Sequence, residues 1–147
     1  MKLQQLSLFL ENRPGQLRAP CRALADAGID ILTLSLADTA QFGILRLIVR
    51  DFERAKAVLE KAGMVVNVTE VVPVEVEDRP GALAGVLEAI EKSGMGIEYM
   101  YAFAAGPGPG KAALIFRFEK PDEALRALRL GGVRVLEAEE LLALKVG

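Results

Sequence analysis

Between residues 3 and 11, apolar Leu6, Leu8 and Leu10 alternate with polar Ser7 and Glu11. That two-residue period predicts a strand with one buried face. From Leu17 the period changes: Leu17, Cys21 and Leu24 recur at i, i+4 and i+7, the spacing of an amphipathic helix. Gly28 then stands where glycine ends helices. Pro20 falls inside this helix and predicts a kink or a slightly later start. Strands near 31–38 and 42–50, a helix near 52–62 and a strand near 64–71 follow. The order then begins again. Val72, Val74 and Val76 take the strand's inward places, and Leu83, Leu87 and Ile90 repeat the helical stripe before Gly94. The remaining elements are expected at 97–104, 111–119, 121–131 and 133–139.

This recurrence is a sequence repeat. Glu11-Asn12-Arg13-Pro14-Gly15-Gln16-Leu17 returns as Glu77-Asp78-Arg79-Pro80-Gly81-Ala82-Leu83, at an offset of 66. Eight of the 21 positions in 11–31 are identical in 77–97, too many in one frame for coincidence. The offset becomes 69 beyond the Gly106-Pro107-Gly108-Pro109-Gly110 loop, where Ala55 matches Ala124 and Gly63 matches Gly132. The fold class is therefore α+β: two ferredoxin-like βαββαβ modules, 1–70 and 71–147, each an antiparallel sheet with helices on one face. Residues 71–76 leave almost no linker, which predicts modules held close. Units of about 70 residues are marginal alone, so packing on each other or on a second chain is expected.

Charge and composition exclude more than they select. A net charge of −2 and a pI near 5.3 offer no basic footprint for nucleic acid. With no histidine in the chain, histidine triads, histidine bases and the usual zinc sites are excluded. Cys21 is the single cysteine, on the helix's apolar stripe with no histidine to activate it, which reads as core. No apolar run reaches the ~20 residues of a membrane span and no signal-peptide pattern opens the chain, so a cytoplasmic protein is expected. No cofactor or metal is implied. The Glu137, Glu139, Glu140 cluster reads as a solvated face, and the Gly-Pro-Gly-Pro-Gly loop as a hairpin, since it lacks the Gly-Lys-Ser/Thr ending of a phosphate loop.

Chemistry concentrates at the two repeated turns. Pro14-Gly15 and Pro80-Gly81 each link a strand to a helix, leaving the helix's first N–H groups exposed. Those donors suit a carboxylate. Asn12 or Asp78 beside them can cap the helix or receive an ammonium group. A free α-amino acid presents both groups.

The Glu11-Asn12-Arg13-Pro14-Gly15-x-Leu17 pattern, followed by Gly28-Ile29-Asp30-Ile31, resembles an ACT domain. It is most similar to the serine-sensing ACT domain of phosphoglycerate dehydrogenases. The resemblance covers nearly the whole chain as two modules. It implies regulation by a bound amino acid at an ACT–ACT seam, and the missing histidine and catalytic motifs lead to the expectation of no catalysis. It implies ligand contacts at Asn12, Arg13, Pro14, Gly15, Gln16 and Leu17, with Asp30 and Ile31 reaching across a paired interface. The second copy offers Asp78, Arg79, Gly81, Ala82 and Leu83, with Gly96 and Ile97 at the places of Asp30 and Ile31. Gly96 lacks the polar arm of Asp30, so unequal sites are expected. Leu10 replaces the histidine of the serine-sensing version, which counts against serine.

Partners follow from the same resemblance: an amino-acid ligand, a second copy in a homodimer, and a biosynthetic enzyme or transcriptional regulator. The alternative is an adaptor that acts by protein contact alone. On the outward parity of the second copy, Tyr99, Tyr101 and Phe103 replace Thr33, Ser35 and Ala37. Aromatics on a helix-free face are costly to leave in water. They read as an interface, or as a face covered by a loop or by residues 138–147.

Overall fold

The computed structural model describes residues 2–38 and 41–144. They divide into two compact units: Gln4–Thr69, and the residues from Glu70 onward together with those up to Leu3. Each is described by itself.

The first unit contains β1 (Leu3–Glu11), α1 (Arg18–Asp26), β2 (Thr33–Asp38), β3 (Phe42–Ile48), α2 (Phe52–Lys61) and the start of β4 (Val66–Glu77). Strand order is β2-β3-β1-β4, and β3 runs antiparallel to both β1 and β2. The register stacks Leu6 on Leu47 and Leu8 on Leu45. These leucines join Leu24 of α1 and Leu59 of α2 in a fully enclosed core. The alternation seen in the sequence thus buries one sheet face under two helices. Asp51 caps α2 by accepting from the Arg54 N–H at 3.1 Å.

The second unit repeats the plan with the end of β4, α3 (Ala82–Lys92), β5 (Ile97–Ala102), β6 (Lys111–Phe118) and α4 (Pro121–Leu130). Val72 and Val74 of β4 lie opposite Phe116 and Leu114 of β6, against Val86, Ile90 and Leu128 of the helices. Phe116 and Phe118 stack with centroids 5.7 Å apart.

Three expectations change. The predicted strand at 64–71 and the one carrying Val72, Val74 and Val76 are one continuous strand, β4, which runs through Pro73. The closing strand at 133–139 shrinks to a bridge between Val135 and Val74. Leu136 N–H still donates to the Pro73 carbonyl at 2.9 Å. Ala138–Leu142 then forms a short helix, α5, because Ala-Glu-Glu-Leu-Leu favours helix over strand and Glu140 accepts from the Glu137 N–H at 3.5 Å. The buried stripe of α1 is Pro20 and Leu24, not Leu17 and Cys21. Pro20 is tolerated there because α1 begins at Arg18, two residues later than α3 in repeat terms. Its missing N–H falls in the first turn, where donors have no helical acceptor. Cys21 is half-buried.

Facing the helices is not the same as being covered by them. Leu36 and Leu45 are cross-strand partners, yet Leu45 is 0% exposed and Leu36 on edge strand β2 is 41% exposed. Urea denaturation should therefore show Leu45→Ala costing about 2–5 kcal/mol and Leu36→Ala about 0.5 kcal/mol or less.

Candidate functional site

Each unit passes from its first strand to its first helix through the same turn. The Gln16 N–H donates to the Arg13 carbonyl at 3.2 Å, and the Ala82 N–H to the Arg79 carbonyl at 3.3 Å. Proline holds the second place of each turn and glycine the third, at φ +88° for Gly15 and +89° for Gly81. With ψ −15° at Gly81, this is a type II β-turn, which requires positive φ at its third residue. The first main-chain bonds of the helices run from Ala19 to Gly15 and from Gly85 to Gly81. The N–H groups of Leu17 and Arg18, and of Leu83 and Ala84, precede those bonds and sit at the positive end of the helix dipole.

The chain around each turn is held from below. Asn12 N–H donates to the Gln41 carbonyl at 3.0 Å, and Asp78 N–H to the Gly110 carbonyl at 2.9 Å. Neither residue caps its helix: the N-cap positions are Leu17 and Gly81, and no side-chain cap bond is made at either. The turn inserted between Asn12 and α1, or Asp78 and α3, removes the capping role that the sequence allowed.

Arg13 and Arg79 turn back on the chain. Arg13 Nη2 lies 2.5 Å from Glu11 Oε2, and Arg79 pairs with Glu77, which also has Lys111 at 3.6 Å. The Arg79 hydrogen bond and charge, with Lys111 behind them, hold the Glu77 carboxyl below the ordinary carboxylate range. Each arginine thus has its own carboxylate, and the main chain is left as the carboxylate-binding element. Leu17 and Leu83 are 41% and 39% exposed, so each turn carries an open apolar side chain beside its N–H donors.

The polar arms do not converge within a unit. Leu6 is level with Leu47, while Thr33 is level with Ile48, so the start of β2 lies at the Gln5 end of β1. Seven residues of strand, about 23 Å, separate that level from Asn12, and Asp30 precedes Thr33. Asn12 and Asp30 lie toward opposite ends of one sheet. The same registers part Asp78 from Gly96 and Ile97, with Glu77 opposite Lys111 and Ile97 opposite Phe118. Within one unit, then, the Pro-Gly turn and the Asp30 or Gly96 position do not meet.

Beside the first turn the sequence reading passed over Phe9 and Phe42. They are 71% and 47% exposed and meet edge to face at 6.4 Å. Phe9 sits on the outward parity of β1, the signal that could have found it. Their repeat counterparts are Glu75 and Lys111. On β5, Tyr99 and Tyr101 are half-buried, while Phe103 lies past the strand's end and is 7% exposed. Phe103 is therefore withdrawn from the open aromatic face read from the sequence. No group of His, Cys, Asp or Glu side chains among the described residues could hold a metal ion, and no helix there is long and apolar enough to cross a membrane.

Two units of βαββα order, the first closed by β4 and the second by a single bridge at Val135, each open their first helix through a glycine-dependent turn, the plan of a tandem of ACT folds. The sequence profile for an ACT domain pair matches residues 1–145, and the chain belongs to that family. Protein BT0572 from Bacteroides thetaiotaomicron is similar over 98% of both chains at 38% identity, with a TM-score of 0.89. The ligand-free regulatory subunit of aspartate kinase from Thermus thermophilus has 19% identity and a TM-score of 0.63, over 88% of this chain and 92% of its own. The aspartate kinase regulatory subunit from Thermus flavus has 20% identity and a TM-score of 0.61, over 90% and 94%. No curated protein matches.

Two expectations follow from the turn. A side chain at residue 15 meets no atom within 4 Å, so Gly15→Ala should cost only its strained φ, about 1–2 kcal/mol. Gly96→Ala, with equal space and no positive φ, should leave the thermal midpoint unchanged. In Arg79→Ala the Glu77 carboxyl should titrate closer to the ordinary range by NMR. Because its folded pKa is depressed, the pair's contribution in the parent is present above the unfolded pKa and is lost as pH falls through the folded value.

Proposed function

We propose that this chain is a non-catalytic sensor of a free amino acid that modulates a partner enzyme or regulator. The observation that carries this reading is the duplicated type II turn, with paired N–H donors and an exposed leucine beside it. The ligand's carboxylate is bound by the N–H groups at Leu17 and Arg18, and its side chain lies against Leu17. Its ammonium group is received by Asn12 and by Asp30 of a neighbouring ACT sheet, since one unit cannot supply both. A homodimer provides such a neighbour.

The turns at Asn12 and Asp78 are not equivalent. Gly96 contributes no carboxylate where Asp30 does, so the site completed by Asp30 is the stronger. A biosynthetic enzyme as the controlled partner is supported by family membership and by the fold shared with aspartate kinase regulatory subunits. A ligand that binds only the folded chain stabilises it by mass action. At ~100-fold excess over Kd, one member of a panel of the twenty amino acids should raise the melting temperature by roughly 5–10 °C. Asp30→Ala should abolish most of that rise, and Asp78→Ala much less. A flat panel would leave contact with a protein partner as the function, and equal effects of the two substitutions would refute the inequality of the sites.

A further inference from the structure

The helical faces of the two units differ at matched positions. On the first, Arg22 pairs with Asp26 at 3.1 Å and Lys56 with Glu60 at 3.3 Å, so each helix neutralises its own surface. Arg22 and Asp26 correspond to Glu88 and Lys92 on α3. These are again opposite charges one turn apart, in the order that favours pairing within a helix. Among the described residues, however, neither takes part in an ion pair.

The surface they line is hollowed. A groove of about 420 Å3 lies between α3 and α4. Gly85, Ala127 and Gly131 line it where the first unit has Ala19, Val58 and Ala62. At its margin, Leu130 is 90% exposed, more than any other large apolar residue described. Its counterpart in the first unit is Lys61. An exposed knob, a hollow and two unpaired opposite charges therefore share one face.

We propose that α3 and α4 form a docking face for the same face of a second copy of this chain. A contact between identical surfaces is self-complementary. A two-fold axis crossing α3 between Glu88 and Lys92 sets Glu88 of each copy opposite Lys92 of the other. Leu130, at the margin of the groove, lies within the area that this contact covers. Charges that stay apart within the helix find partners across the axis, and the most exposed leucine leaves water. The patch is overall neutral, which suits a like patch and offers nothing to a polyanion. Two helices about 16 Å long and about 20 Å across make a small contact of the weak, transient class, so association is expected at micromolar concentration. This contact is separate from the pairing of sheets in the ligand reading and does not rest on it.

Sedimentation velocity of the full chain over the micromolar range tests the proposal. The unmodified chain should associate one step further than Leu130→Glu or Leu130→Ser. Glu88→Lys and Lys92→Glu should each weaken that step by about tenfold or more, because like charges then face each other across the axis. Mixing these two variants in equal amounts should restore it, since one copy then presents two lysines at these positions and the other two glutamates. The proposal is overturned by the same mass for the unmodified chain and both Leu130 variants at every concentration. It is equally overturned if the mixture gains nothing over its separate components.

Discussion

Gly15 and Gly81 hold φ near +88°, a backbone conformation that strains any residue with a side chain. Everything that distinguishes the first turn of each unit rests on that angle. It closes the Arg13–Gln16 and Arg79–Ala82 bonds, and the first main-chain bonds of the helices follow at Ala19 and Gly85. It also displaces Asn12 and Asp78 from capping positions they would otherwise be suited to fill. A turn built only to start a helix would use such a side chain as its cap. This one places neither Asn12 nor Asp78 at the N-cap of its helix.

The scaffold beneath is rigid for ordinary reasons. Leucines and valines of one parity meet across the strands and lie under two helices, and their burial fixes the register. That register also constrains the chemistry. It sets Asn12 and Asp30 toward opposite ends of the first sheet, so the reading of a ligand site becomes a reading of how ACT sheets meet. In such an arrangement a ligand that contacts both sheets alters their association, the physical basis of an allosteric signal.

The repeat, the order of elements and the strand parities were legible because each is a periodic property of the residues themselves. The buried face of α1 was not. Leu17 looked like the first residue of an apolar stripe, but α1 begins only at Arg18 and buries Pro20 and Leu24. The last predicted strand failed because Val133–Leu136 reads as extended in isolation, whereas the following Ala138–Leu142 takes the chain into α5. The pairing of Arg13 with Glu11 and of Arg79 with Glu77 depends on where the strand ends, which no one-dimensional pattern gives. Here each strand stops, and the arginine folds back.

Equilibrium dialysis of the intact chain against a mixture of the twenty amino acids tests the central claim most directly. One amino acid should be retained, and Asp30→Ala should release it while the chain stays folded. Retention of none of them, by a chain shown to be folded and assembled, would contradict it.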